Sequence, residues 1–139
     1  TKAAVERAVK IAGERGARRA VILPVSAPFH CPLMLPAADA MAEALEGIKI
    51  RQPVVPLVAN VAAEKVTHPD TIRTYLIDQV TAMVRWRESV LYMKERGIDT
   101  LIEVGAGKVL SGLARRIDRG LAGKSIQQPD DFEAIVKEL

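Results

Sequence analysis

A single cysteine among 139 residues, Cys31, excludes an internal disulfide. No apolar run approaches the roughly 20 residues that a membrane-spanning helix needs, so the chain reads as a protein of a reducing, cytoplasmic compartment with no membrane partner. Aromatic residues make up 4% of the chain and form no glycine–aromatic pattern for stacking bases. The net charge of +3 comes from Lys and Arg interspersed with Asp and Glu, so nucleic-acid binding has only overall basicity behind it. Two histidines and one cysteine give no metal-ligand spacing, and no metal is expected. The chain also lacks a Gly-x-Ser-x-Gly elbow, an internal repeat and a low-complexity linker. It opens Thr1-Lys2-Ala3 with an amphipathic stripe already running by Val5, Ala8, Val9 and Ala12, which reads as a piece of a longer polypeptide.

What is present describes one globular domain, with 49% hydrophobic and 27% charged residues. Helical and strand-like segments alternate. A first helix is expected to end near Gly16, followed by a strand buried on both faces from Arg19 to Val25. Met34, Ala38, Met41, Leu45 and Ile48 keep helical spacing and are assigned to the core. Residues 54–61 form the second expected strand, with Pro56 restricting its first half to an edge or bulge. Thr67, Pro69 and Asp70 suit the start of a helix that turns Ile72, Leu76 and Val80 inward. Another helix from Trp86 is stopped by Gly97, and residues 100–104 form the third strand. Val109, Leu110, Leu113, Ala114 and Ile117 then face the core from a helix. Ser125-Ile126 is a short last strand, and Phe132, Ile135, Val136 and Leu139 line a closing helix. Strands separated by helices predict an α/β fold with a parallel sheet.

His30 is the leading site candidate, because a titratable ring in the proline-punctuated loop after a hydrophobic run sits where α/β enzymes gather catalytic groups. The competing reading is a buried, satisfied histidine. Cys31 is badly placed to be activated by its neighbour and reads as a small apolar filler. Gly105-Ala106-Gly107 joins a strand to a helix. It lacks the third glycine of a dinucleotide fingerprint and the lysine–serine ending of a phosphate loop, so a tight turn is the simpler reading. A coenzyme A or phosphate-binding module without catalysis remains the alternative. His68 lies in a capping segment exposed to solvent.

Three ordered segments carry a resemblance. Val25-Ser26-Ala27-Pro28-Phe29-His30-Cys31-Pro32-Leu33-Met34, Pro56-Leu57-Val58-Ala59-Asn60-Val61 and Glu103-Val104-Gly105-Ala106-Gly107-Lys108-Val109-Leu110-Ser111-Gly112-Leu113 resemble motifs of the malonyl-CoA:acyl carrier protein transacylases. The resemblance covers almost the whole chain and corresponds to the C-terminal part of such an enzyme. It implies that residues 1–25 are a helix–strand piece of a ferredoxin-like small subdomain. Residues 26–139 would then be the C-terminal portion of an α/β-hydrolase-like large subdomain. It also implies transfer of a malonyl group from coenzyme A to the phosphopantetheine thiol of acyl carrier protein, in fatty acid biosynthesis, through a malonyl-serine intermediate. No cofactor is implied; malonyl-CoA is the substrate.

Residue by residue, the resemblance implies that His30 is the general base and that the backbone carbonyl of Gln79 accepts the ring N–H. Phe29 matches a residue that shapes the acyl pocket, with plain packing as its alternative. Asn60 matches a position near the cleft, where it either meets substrate or bonds loop backbone. The family's nucleophile sits in a Gly-His-Ser-Leu-Gly elbow that this chain does not contain, and Leu110-Ser111-Gly112 lacks its first glycine. The serine, the malonyl-binding arginine and the oxyanion amides are therefore expected in a missing N-terminal segment, and this chain alone is expected to be inactive. Lys108, Arg115, Arg116 and Arg119 are either a solvated face or a surface for the acidic carrier protein.

Overall fold

A computed structural model describes residues 1–137. The first helix, α1 (Lys2–Glu14), stops two residues before Gly16 and buries no residue of its own. Of its apolar stripe, Val5 and Ala8 are exposed and Val9 and Ala12 half-buried. The strand expected over residues 19–25 does not form: the segment is irregular and its apolar side chains are bare, with Leu23 66% exposed. A strand buried on both faces needs neighbours to take its backbone N–H and C=O groups. Among the described residues none lies alongside, and the Val25 amide turns back onto the Leu23 carbonyl at 2.9 Å.

A short 3-10 turn, Pro32–Met34, leads into α2 (Leu35–Glu46). Ala38 and Leu45 of the expected stripe are buried, whereas Met41 and Ile48 are exposed. Strand β1 (Leu57–Ala59) is shorter than the sequence suggested. Pro56 cannot donate to a ladder and stands just outside it, with Val54 and Val55 exposed. An unforeseen partner, β2 (Glu64–Val66), pairs with β1 antiparallel through a turn in which Ala63 adopts φ 56°. Ala59 and Val66 pack with Ile72 of α3 (Pro69–Asp78), and Ile50, Tyr75 and Leu76 close around them. His68, not Thr67, is the N-cap of α3, and it makes no side-chain cap bond. The proline at the first helical position holds the preceding residue extended, and the His68 carbonyl takes the first helical amide, from Ile72, at 3.0 Å. The middle of α3 meets the C-terminal end of α2: the Arg73 guanidinium donates to the Leu45 carbonyl and, at 2.6 Å, to that of Ile48.

Helix α4 (Trp86–Glu95) ends as expected at Gly97, whose φ of 84° lets its amide reach the Lys94 carbonyl and that of Ile98 reach Met93. The last third of the chain is a strand–helix–strand unit: β3 (Thr100–Val104), α5 (Val109–Ile117) and β4 (Ala122–Ile126). β3 and β4 run parallel, from Thr100 opposite Ala122 to Val104 opposite Ile126, so the last strand extends three residues upstream of the two expected. α5 packs on both strands through Ser111 and Ala114, while Val109, Leu110 and Leu113, expected inside, are exposed. Finally α6 (Pro129–Val136) lies on β4 and buries Ile135. Phe132 and Val136 remain exposed, and Leu139 lies outside the described residues.

The architecture is thus mixed α/β, with two separate two-stranded sheets among the described residues in place of one parallel sheet. No helix among the described residues is long and apolar enough to cross a membrane. One close approach locks the parallel unit. A Cβ on Gly123 would stand 2.6 Å from the Ser111 carbonyl, whereas one on Gly112 would meet nothing within 4 Å. Gly123→Ala should therefore destabilise the chain by about 1–3 kcal/mol in chemical denaturation. Gly112→Ala, within the same helix, should be neutral or stabilising by up to about 1 kcal/mol. Equal effects would show that the β4–α5 contact is looser than described.

Candidate active site

His30 lies in the loop before the 3-10 turn, with a backbone φ of 57°. This left-handed conformation is uncommon for a residue with a side chain, though histidine tolerates it better than most. The ring is exposed, and its Nδ1 stands 3.0 Å from the backbone oxygen of Gln79, 49 residues away. A carbonyl can only accept, so Nδ1 carries the hydrogen and donates it. In the neutral ring Nε2 is then a lone-pair acceptor. Among the described residues it has no hydrogen-bond partner.

The Gln79 carbonyl is available for a structural reason. Gln79 is the C-cap of α3, and its amide bonds the Tyr75 carbonyl at 3.1 Å. The last carbonyls of a helix have no intrahelical donor and carry the negative end of its dipole. Those of Ile77 and Asp78 are taken up by amides of residues 80–82. That of Gln79 receives the imidazole.

Around this pair the remaining candidates divide. Cys31 is half-buried and its thiol donates to the Pro28 carbonyl at 3.1 Å, a local tie within the loop. Phe29 is 54% exposed beside His30. The Asn60 side-chain Nδ2 donates to the Gln79 side-chain Oε1 at 3.4 Å, a side-chain partner where loop backbone had been the alternative. His68 is exposed, 3.9 Å from the Asp70 carboxylate. Lys108, Arg115, Arg116 and Arg119 are all exposed.

None of the four serines stands on the imidazole. Ser89 is buried and donates to the Arg85 carbonyl at 2.9 Å. Ser111 is buried, and both its amide and its hydroxyl donate to one oxygen of Glu103 at 2.9 Å. Ser26 and Ser125 have no hydrogen bond to His30 among the described residues.

The Glu103–Ser111 contact had no counterpart in the sequence reading, and its only signal was an acid at the end of a strand eight residues before a serine in the next helix. It decides the reading of the glycine turn. Gly105 and Gly107, with φ of 135° and 105°, make a tight turn whose amides are already engaged. The Gly105 amide reaches the Ile126 carbonyl at 2.9 Å, and that of Gly107 reaches the Gln127 side chain at 3.3 Å. Glu103 fills the N-terminus of α5, its carboxyl held below the usual glutamate value chiefly by the Ser111 amide, with burial opposing. A carboxylate there repels a phosphate, and both glycine amides of the turn are taken, which favours the tight-turn reading over a coenzyme A cradle.

A cavity of about 400 Å³ opens between the two sheets. Pro56, Val58 and Asn60 line one side, Trp86 and Met93 its floor, and residues 101–104 of β3 the other side. It includes neither Phe29 nor His30. The indole N–H of Trp86 is buried without a partner among the described residues.

No protein-family model matches the chain. It is similar to the malonyl CoA-acyl carrier protein transacylase of Haemophilus influenzae, with 45% identity over 96% of this chain and 43% of that protein. Its fold is similar to the crystal structure of the acyl-carrier-protein-S-malonyltransferase of Bartonella henselae, with a TM-score of 0.88 and 47% identity over 97% of this chain and 43% of that one. It is similar also to a malonyl-transacylase solved in complex with a type II PKS acyl-carrier protein, with a TM-score of 0.89 and 39% identity over 99% of this chain and 45% of that one. The chain thus spans less than half the length of the relatives it matches.

The lowered Glu103 value has a measurable sign. Its stabilising contribution is complete above the ordinary glutamate range and is lost as pH falls through the depressed folded-state value. The gap in unfolding midpoint between the native chain and Glu103→Gln should therefore be largest near about pH 7 and shrink toward about pH 3. A gap that does not change with pH would mean that the carboxylate charge plays no part.

Proposed function

We propose that this chain supplies the histidine half of a site that transfers a malonyl group from coenzyme A to the phosphopantetheine thiol of acyl carrier protein, a step of fatty acid biosynthesis. The observation that carries this is the exposed imidazole, fixed through Nδ1 on the Gln79 carbonyl with Nε2 left as an acceptor. The similarity to malonyl CoA-acyl carrier protein transacylases over nearly the whole chain gives the reaction class. We assign the nucleophile to a serine from polypeptide outside these residues, because each buried serine here is committed to another acceptor.

In the first half-reaction Nε2 takes the serine proton, the serine oxygen bonds to the malonyl carbonyl carbon and the C–S bond breaks. The departing thiolate receives the proton from the imidazolium. In the second half-reaction Nε2 takes the pantetheine thiol proton, sulfur attacks the malonyl-serine ester and the proton returns to the serine oxygen. Atoms and electrons balance with malonyl-CoA as substrate and no further cofactor. The Nδ1–H bond to Gln79 keeps the proton-accepting nitrogen defined and becomes charge-assisted when the ring is protonated. Orientation comes from a backbone oxygen where serine hydrolases usually use a carboxylate.

On this reading Phe29, the exposed neighbour of His30, shapes the acyl pocket, where an aromatic ring disfavours an extra methyl on the acyl group by roughly 1–3 kcal/mol. On the same reading, residues 26–139 belong to an α/β-hydrolase-like large subdomain. The parallel β3–α5–β4 unit supports this assignment. Residues 1–25 belong to a ferredoxin-like small subdomain, and the uncovered run 20–25 supports a missing strand partner there. The setting is cytoplasmic, and the acidic carrier protein would approach the exposed Arg115 and Arg116.

In enzyme that contains the serine-bearing segment, His30→Ala should lower malonyl transfer by about 100- to 10,000-fold. Gln79→Ala, which keeps the carbonyl, should cost far less. The 139-residue chain alone should give no turnover. Equal losses from the two substitutions, measured by transfer of radiolabelled malonyl, would refute the backbone role. Turnover by the chain alone would refute the external serine.

A further inference from the structure

The geometry points to Asn60 as the positioning residue for the His30–Gln79 pair, an inference that rests on the reading of His30 as the proton carrier. The direction of the Gln79 carbonyl decides where the ring can sit, yet Gln79 is the last residue of a helix, and helix ends fray. Beyond it, residues 80–85 run without regular structure to α4. Asn60 ties down both ends of that segment. Its side-chain amide meets the Gln79 side chain at 3.4 Å, and its backbone carbonyl accepts from the Arg85 amide at 3.1 Å.

Asn60 is itself well anchored. It directly follows β1 and the buried Ala59, whose carbonyl accepts from Ala63 at 2.7 Å across the turn. Arg85 adds a second tie to the same turn, donating from its guanidinium to the Ala62 carbonyl at 3.1 Å. The order of support runs from the β1–β2 hairpin to Asn60, from Asn60 to Gln79, and from the Gln79 carbonyl to the imidazole. A ring held within a fraction of an ångström needs such a supporting contact behind its first partner. Asn60 makes no hydrogen bond to the imidazole among the described residues; it acts through Gln79.

The test reads where the His30 ring proton resides, by nitrogen NMR of the neutral imidazole, with the exposed His68 as the internal reference. Asn60→Leu should lower the ratio of the Nδ1–H to the Nε2–H form by about three- to tenfold, the effect of one hydrogen bond. Asn60→Asp should preserve the ratio, because a carboxylate still pairs with Gln79 once that amide turns over. Gln79→Leu removes the same contact from the other side and should reproduce the shift, so the test survives failure of the Asn60→Leu variant to fold. Adding Asn60→Leu to Gln79→Leu should shift the ratio no further. An unchanged ratio in Asn60→Leu, an equal loss in Asn60→Asp, or additive losses in the double variant would each overturn the assignment. Loss of transfer in His30→Ala tests the function separately, so either reading can fail without the other.

Discussion

One hydrogen bond organises the candidate site: the imidazole N–H of His30 on the main-chain oxygen of Gln79. It joins a loop with little regular structure to the end of a helix 49 residues away. It also fixes the tautomer, since the acceptor cannot donate. Without it an exposed ring would sample several rotamers, and neither nitrogen would be reserved for a substrate proton. The hairpin and the cluster beneath α3 can be understood as support for that carbonyl. The Ala59–Val66–Ile72 cluster seats α3, and the hairpin turn holds the segment that follows it.

The same physical device recurs at other helix ends. The Leu45 and Ile48 carbonyls at the end of α2 receive Arg73, the Gln79 carbonyl that ends α3 receives His30, and the Ser111 amide in the first turn of α5 receives Glu103. In each case a side chain from outside the helix meets backbone groups in its terminal turn, where intrahelical partners run out. Two of these contacts serve the scaffold, and the third places a proton acceptor. The site is therefore built from the same chemistry as the scaffold.

Local signals in the sequence were reliable where one residue's chemistry decides the backbone. Gly97 stops α4, Pro69 starts α3, and Gly105 and Gly107 turn β3 into α5. The parallel pairing of β3 with β4 also follows from a strand, a helix and a strand in succession. Apolar runs misled where burial depends on neighbours. Residues 20–25 have the composition of an interior strand, yet nothing in the described chain covers them. The exposed Val109, Leu110 and Leu113 of α5 show the same limit. β2, with Glu64 and Lys65 in a three-residue strand, carries no hydrophobic alternation to detect. At the site, the segment containing His30 could be singled out from its residues, whereas its link to Gln79 came only through family resemblance. The Glu103–Ser111 bond was invisible because it is a contact across a turn, set by how closely Gly123 lets α5 approach the sheet.

The positive φ of His30 has a consequence for how the imidazole's contribution can be isolated. Alanine at a left-handed position adds a main-chain penalty on the order of 1 kcal/mol and invites the loop to relax, so it deletes a ring and perturbs a backbone together. Asparagine occupies that region more readily and has no ring nitrogen to accept a proton. The cleaner stereochemical blank at this position is thus His30→Asn, in which the path of the loop is conserved while the acid–base group is gone.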